Sequence, residues 1–377
     1  MFILGVYPLQ QYINSLPIED KLTIELAELF EKFGYKKYCM DKFEEYSFYS
    51  DNRDFLSGEG IIAFNNSDGR LMALKPDITL SIVKNSRISS DTLTKSYYNE
   101  SVYRIAKNTH DYKEIKQTGV EVLGKLDAYN ISEIILLALE SLDKIDTENI
   151  LSVSHMSVIS ALMEKYNITS RKLKKKIIDF IIGKNMHDLK KLLVENDIDA
   201  DKFIEIVSIS GEIDCVVEKL ENFASDGFDF NNAIEDFRVI SEILKINTCK
   251  KNVTVDFSVL NNTDYYNGII FQGFVKNAPN AVLAGGRYDN LANKIRKHTE
   301  AVGFAIYLDN LNLWYPNKKE FDTEIVIINK SGNASELLKV VKDFTDKGHS
   351  VKVEYTTPTD YTFRTLYTFD GTLKEGK

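Results

Sequence analysis

The segment Tyr97–Gly124 reads YYNESVYRIAKNTHDYKEIKQTGVEVLG. Asn99–Ile105 and Gln117–Leu123 are two strand-like stretches, joined by a polar, charged loop. Successive side chains of a strand point to opposite faces, so Gln117 and Glu121, four apart, share one face.

On the N-terminal side, Leu22, Leu26, Leu29, Phe30 and Phe33 recur at helical spacing. Pro17 suits the first turn and Gly34 the position after the end, so a helix is expected over about Pro17–Phe33. From Tyr35 to Lys84, short segments alternate with turn signals such as Asn66-Ser67-Asp68-Gly69, which reads as sheet. Downstream, Asn130 and Glu133 are placed like a capping box for a helix starting near Ile131. The chain then reads mostly helical to about Ile246. Strands return at Val253–Phe257, Tyr265–Val275 and Ala301–Tyr307. Beyond Phe321, Glu324–Ile328, Ala334–Phe344 and Val351–Tyr355 form a strand, a helix and a strand, a small βαβ unit. Thr356–Lys377 carries few signals and is expected to fray.

With 377 residues, 44% apolar and 27% charged, the chain has the composition of a globular protein that buries a real core. A net charge of −9 argues against a general nucleic-acid binder. Cys39, Cys215 and Cys249 are far apart and form no CxxC pair, so they read as buried free thiols rather than zinc ligands or disulfides. The start, MFILGVYPLQQYI, lacks the basic region of a signal peptide, and no apolar run approaches the ~20 residues of a membrane span. A cytoplasmic location is expected. His110 reads as solvent-facing. His155, His187, His298 and His349 have no metal spacing. Lys174–Lys176, with Arg171 and Lys172, read as a solvated helix face.

Three further blocks carry chemistry: ALKPDIT at 73–79, NNTDYYNG at 261–268, and LAGGRYD at 283–289, the last followed by AVGFA at 301–305. Asp77, Gln117 and Glu121 together could hold an ammonium group by charge-assisted hydrogen bonds. Tyr265, Tyr266 and Tyr288 offer aromatic walls with polar tips, and Gly285 and Gly286 allow close backbone approach. The blocks suggest a small-molecule site on an antiparallel sheet.

In order and spacing, these blocks resemble histidyl-tRNA synthetase and its paralogues over roughly residues 5–315. Tyr97–Gly124 is similar to motif 2 of the class II synthetases, with Arg104 where that motif places the arginine that grips the ATP α-phosphate. NNTDYYNG is similar to the family's RGLDYY segment, LAGGRYD to its GGRYD segment, and Ala301–Leu311 to motif 3. The resemblance implies an α+β fold, an antiparallel sheet flanked by helices. Residues 1–315 form the core, with a helical insert over about 145–248, and residues 321–377 a truncated α/β unit. It also implies a homodimer through the segment near Phe33–Phe48.

The departures are selective. Asn310 stands where motif 3 has an arginine, Asn261 where RGLDYY has one, Ala106 where motif 2 has an acid, and Lys75 where an arginine precedes the acidic position held by Asp77. Adenylation builds charge on a phosphate, and each fixed donor aimed at that charge is worth on the order of 10²–10³ in rate. The resemblance leaves Arg104 and Arg287 as residual nucleotide-site residues. It keeps Asp77, Thr79, Gln117 and Glu121 for the amino acid's amino and carboxylate groups, and Tyr265, Tyr266 and Tyr288 around its imidazole. This profile resembles the synthetase-like regulatory subunits of ATP phosphoribosyltransferase, which serve histidine feedback on the first step of histidine biosynthesis. Implied are a short-form catalytic subunit as partner, a hetero-octamer-type assembly around a homodimer core, histidine as effector, and no catalysis, cofactor, metal, tRNA or membrane. An active histidyl ligase and a free-standing histidine sensor are the alternative readings.

Overall fold

A computed structural model of the chain describes residues 12–56, 60–86, 92–106, 109–246, 252–260, 265–309, 311–316 and 321–376. It divides into two compact units, Leu22–Trp314, and Tyr315–Lys377 together with Met1–Lys21.

Helix α1 (Ile18–Lys32) buries Leu22, Leu26, Leu29 and Phe30, the stripe that the spacing predicts. Gly34 follows at φ +82°, a left-handed position that glycine adopts without a Cβ clash. The stretch read as sheet holds strands β1 (Lys36–Lys37), β2 (Phe43–Glu45), β3 (Ala63–Asn65) and β4 (Leu71–Leu74). It also holds two helices, α2 (Tyr46–Asp51) and α3 (Ile78–Asn85). Asp77 explains α3, because its side chain accepts from the Leu80 backbone N–H at 2.8 Å and caps the first turn.

Strands β5 (Thr94–Ile105) and β6 (Tyr112–Gly124) form the expected hairpin, longer than the sequence suggests, with Tyr97 opposite Val120 and Glu100 opposite Gln117. The next helix, α4 (Ala128–Ile145), starts earlier than expected. Its capping box pairs Asp127 with Asn130, and Glu133 is buried instead. Strand β7 (Asn149–His155), inside a stretch read as helical, precedes six insert helices. These are α5 (Met156–Lys165), α6 (Arg171–Ile182), α7 (Met186–Val194), α8 (Ala200–Val207), α9 (Ile213–Ala224) and α10 (Asn231–Ile246), with the short strand β8 (Ser210–Gly211) between α8 and α9. His155 ties this region together: Nδ1 accepts from the Ser157 backbone N–H and caps α5, and Nε2 lies 3.0 Å from Asp236 of α10.

The chain returns to the sheet as β9 (Val253–Asp256), β10 (Ile269–Val275), β11 (Leu283–Arg287), the short helix α11 (Asp289–Ile295) and β12 (Glu300–Tyr307). The described sheet runs β1-β5-β6-β12-β11-β10-β7-β9-β8. It is antiparallel except at β1/β5 and β7/β9. Register places Gly303 opposite both Glu121 and Gly286.

In the other unit, β13 (Thr323–Asn329), α12 (Ala334–Asp346) and β14 (Val351–Glu354) are the expected βαβ. The residues expected to fray instead form β15 (Phe363–Phe369) and β16 (Leu373–Glu375), and β15 pairs parallel with β13. Phe369 joins Ile325, Ile327 and Leu337 in that unit's core, which the weak local pattern conceals.

Cys39 and Cys215 are exposed rather than buried, Cys215 on the outer face of α9, whose inner face holds Ile213, Val216, Val217 and Leu220. Cys249 lies outside the described residues. His110 is exposed, as expected, and so are Lys172, Lys175 and Lys176 of α6. Among the described residues no cluster suits a metal ion, and no helix is long and apolar enough to cross a membrane.

On the helical side of the sheet, Glu133 accepts from the Tyr35 and Tyr129 hydroxyls, each at 2.9 Å, and from Lys95 Nζ at 2.6 Å. Lys95 also donates to the Phe33 carbonyl at 2.8 Å, so one network joins the end of α1, β5 and α4. Removing one partner of a buried pair strands the other charge. Glu133→Ala is therefore expected to lower the unfolding free energy by about 3 kcal/mol in denaturant titration. The double replacement with Lys95→Met is expected to cost less than the single one.

Candidate functional site

The pocket begins with a carboxylate in the sheet. Glu121, 3% exposed, projects from β6 at the point where β12 passes with Gly303. A Cβ at Gly303 would sit 1.9 Å from Glu121 Oε2, so only glycine leaves room for that carboxyl. Thr79, in the first turn of α3, donates its hydroxyl to Glu121 Oε1 at 2.6 Å, and the Tyr288 hydroxyl donates to Oε2.

Burial pushes Glu121 up to about 8, against the lowering pull of the Thr79 and Tyr288 hydroxyls, with the Asp77 charge adding to the rise. Asp77 is also raised by burial, although Arg104 and the backbone N–H groups at the start of α3 pull it down. The Arg104 guanidinium donates through Nε to the Pro76 carbonyl at 2.7 Å and lies 3.9 Å from Asp77. Gln117 is buried on the same face of β6 and makes no side-chain hydrogen bond among the described residues, which leaves its amide for a ligand.

Aromatic rings close the sides. Tyr265 meets Tyr266 at 4.7 Å and Tyr288 at 5.7 Å between ring centroids. Desolvation pushes all three phenols up, so they serve as donors and not as anions. The space enclosed, counting its open mouth, is about 730 Å³. A lining of carboxyls, an amide and tyrosine rings suits a small polar molecule with an aromatic or imidazole part.

Of the sequence candidates, Asp77, Thr79, Arg104, Gln117, Glu121, Tyr265, Tyr266 and Tyr288 all line this one pocket. Arg287 is not among the lining residues; its guanidinium is held by Asp289 at 2.8 Å and Glu300 at 3.1 Å. The reason is parity: Gly286 lies in register with Gly303 and Glu121, so Arg287, one residue on, points to the other face. Lys75 is also withdrawn, 1% exposed and ion-paired with Glu100. Asn261 and Asn310 lie outside the described residues.

Phe55, Tyr98, Tyr307, Ala284, Gly303 and Ala305 also line the pocket; all but Phe55 lie inside the motif blocks, where the sequence assigned them no site role. Tyr98 has a legible signal once the hairpin is registered. It faces Gly119, where a Cβ would come 2.6 Å from its hydroxyl. Phe55 is brought in by a one-turn helix, Arg53–Phe55, that no periodicity reveals.

Comparison with known proteins places this geometry in a family. The family model described as histidyl-tRNA synthetase matches residues 18–311. An ATP phosphoribosyltransferase regulatory subunit of Clostridium kluyveri is 27% identical, over 88% of this chain and 88% of that protein. A histidine–tRNA ligase of Methanococcus vannielii is 25% identical, over 90% and 84%. Among solved structures, an ATP phosphoribosyltransferase regulatory subunit/histidyl-tRNA synthetase from Bacillus halodurans superposes with a TM-score of 0.78 at 17% identity, covering 93% of each chain.

Two outcomes test the site's physics. An unfolded glutamate ionises near 4.5, so from there to about 8 the folded chain keeps a proton that the unfolded chain has lost. The Glu121 contribution is thus complete below pH 4.5 and is lost as pH rises through 8, by up to about 1.4 kcal/mol per unit. Denaturation of wild type minus Glu121→Gln across pH 5–9 should show that slope. Gly303→Ala should displace the Glu121 carboxyl and weaken binding of any ligand held there by on the order of tenfold or more in calorimetry.

Proposed function

The chain belongs to the histidyl-tRNA synthetase family, and on that premise we propose that it regulates rather than ligates, as the regulatory subunit of an ATP phosphoribosyltransferase. The observation that carries this reading is the charge balance of the pocket. Asp77 and Glu121 bring acid, while Arg104 is the one cationic side chain among the described lining residues, already drawn to Pro76 and Asp77. A triphosphate needs several fixed cations. Arg287 and Lys75 are each committed to carboxylates elsewhere, and asparagines occupy positions 261 and 310. An amino acid with an imidazole needs what is present: acceptors for its ammonium, an amide donor for its carboxylate, and tyrosines around the ring.

In this reading histidine binds with its polar groups among Asp77, Thr79, Gln117 and Glu121 and its ring near Tyr265, Tyr266 and Tyr288. A short-form catalytic phosphoribosyltransferase is the partner, joined to a homodimer of this chain in a hetero-octamer-type assembly. Histidine inhibits by binding the less active arrangement more tightly. The regulatory-subunit relative supports this partner. The ligase relative, with Arg104 retained in the pocket, favours the second reading, an active histidyl-tRNA ligase.

A cation beside Glu121 favours the carboxylate, so histidine uptake near pH 7 should release up to one proton from that group. Calorimetry in buffers of different ionisation enthalpy reads this directly. The expected result is binding with proton release that is absent in Glu121→Gln, no histidine-dependent ATP–pyrophosphate exchange, and phosphoribosyl transfer by the short-form subunit that depends on this chain. Robust exchange activity would establish the ligase instead.

A further inference from the structure

Arg287 and Asp289 lie behind the pocket, yet each is the immediate neighbour of Tyr288. Asn267 is likewise the neighbour of Tyr266. Asp289 is the centre of this group: one carboxylate oxygen accepts from Arg287 Nε at 2.8 Å and Asn267 Nδ2 at 3.0 Å, and the other from the Ala301 backbone N–H at 2.9 Å. The Asn267 carboxamide oxygen accepts in return from the Asp289 backbone N–H at 2.7 Å. Arg287 then reaches Glu300, which also holds the Leu126 N–H at 2.6 Å. Two glycines make the interleaving possible. A Cβ at Gly268 would press on the Arg287 side chain at 3.0 Å, and one at Gly286 would lie 2.7 Å from the Tyr266 ring.

The geometry points to a new role for these three residues: Arg287, Asp289 and Asn267 form a positioning clamp that fixes Tyr266 and Tyr288 against the pocket and holds the Tyr288 hydroxyl on Glu121. They touch no ligand. This rests on the histidine-pocket reading for its effect on affinity, while the clamp itself can be tested without a ligand. The bidentate Asp289–Asn267 exchange and the Arg287 fork fix direction as well as distance. Tyr288 is bracketed on both sides in sequence and by its own N–H, which donates to the Ala301 carbonyl at 2.8 Å. Packing against Tyr265, at 5.7 Å between ring centroids, confines the Tyr288 ring from the pocket side, and the bracket anchors its backbone from behind.

The test uses Arg287→Ala, Arg287→Lys and the milder Asn267→Ala in the full chain. In ligand-free protein with 13C-carboxyl-labelled glutamate, the Glu121 signal is identified by its loss in Glu121→Gln. Its titration midpoint should move to higher pH in Arg287→Ala and Asn267→Ala, because the carboxylate loses the Tyr288 donor, and should return toward wild type in Arg287→Lys. Histidine affinity at pH 7 should fall on the order of 10- to 100-fold in the two alanine variants, the loss of a hydrogen bond to a buried charge. Folded alanine variants with an unmoved Glu121 midpoint would overturn the clamp. A wild type that binds no histidine, with the midpoint shifts intact, would overturn the pocket reading and leave the clamp standing.

Discussion

The Thr79–Glu121–Tyr288 hydrogen bonds set the terms for most of the large unit. A carboxyl buried in a sheet is costly unless donors meet it, and this one draws its donors from two separate elements. The first turn of α3 must present Thr79, and the segment after β11 must present Tyr288. The strand passing beside it must have no side chain, hence Gly303. Asp77, by capping α3, does double duty as helix start and pocket wall.

The same constraint explains what was legible in the sequence. Motif blocks that place Thr79 42 residues before Glu121 and Tyr288 167 residues after it meet at one carboxyl, so the pocket's acids and tyrosines could be read from their blocks. Arg287 alone of the site candidates does not line the pocket, because block similarity carries no information on which face of a strand a side chain takes; register does. Helix α3 was missed because its eight residues are too few for periodicity to outweigh neighbouring turn signals, and its cap is a single aspartate. Strand β7 was missed because its alternation, Leu151 and Val153 between Ser152 and Ser154, is too short to stand out between the helices α4 and α5. Strand β15 was missed because its core contact, Phe369, is made with residues more than thirty positions away.

The positive charge of the site is arranged around acids rather than toward open space. Arg104 leans on Pro76 and Asp77, Lys75 on Glu100, and Arg287 on Asp289 and Glu300. These are the contacts of a scaffold that keeps its shape, and they leave the pocket suited to a zwitterion with a basic ring. In the proposed reading, histidine held here is sensed while an associated catalytic subunit does the chemistry.

The most direct measurement is phosphoribosyl transfer by the reconstituted complex with a short-form catalytic subunit, titrated with histidine, for wild type and Glu121→Gln. The account predicts that both chains activate the catalytic subunit, and that inhibition by histidine weakens by on the order of tenfold or more in Glu121→Gln. Equal inhibition of the two complexes would contradict it and place the histidine sensor outside this pocket.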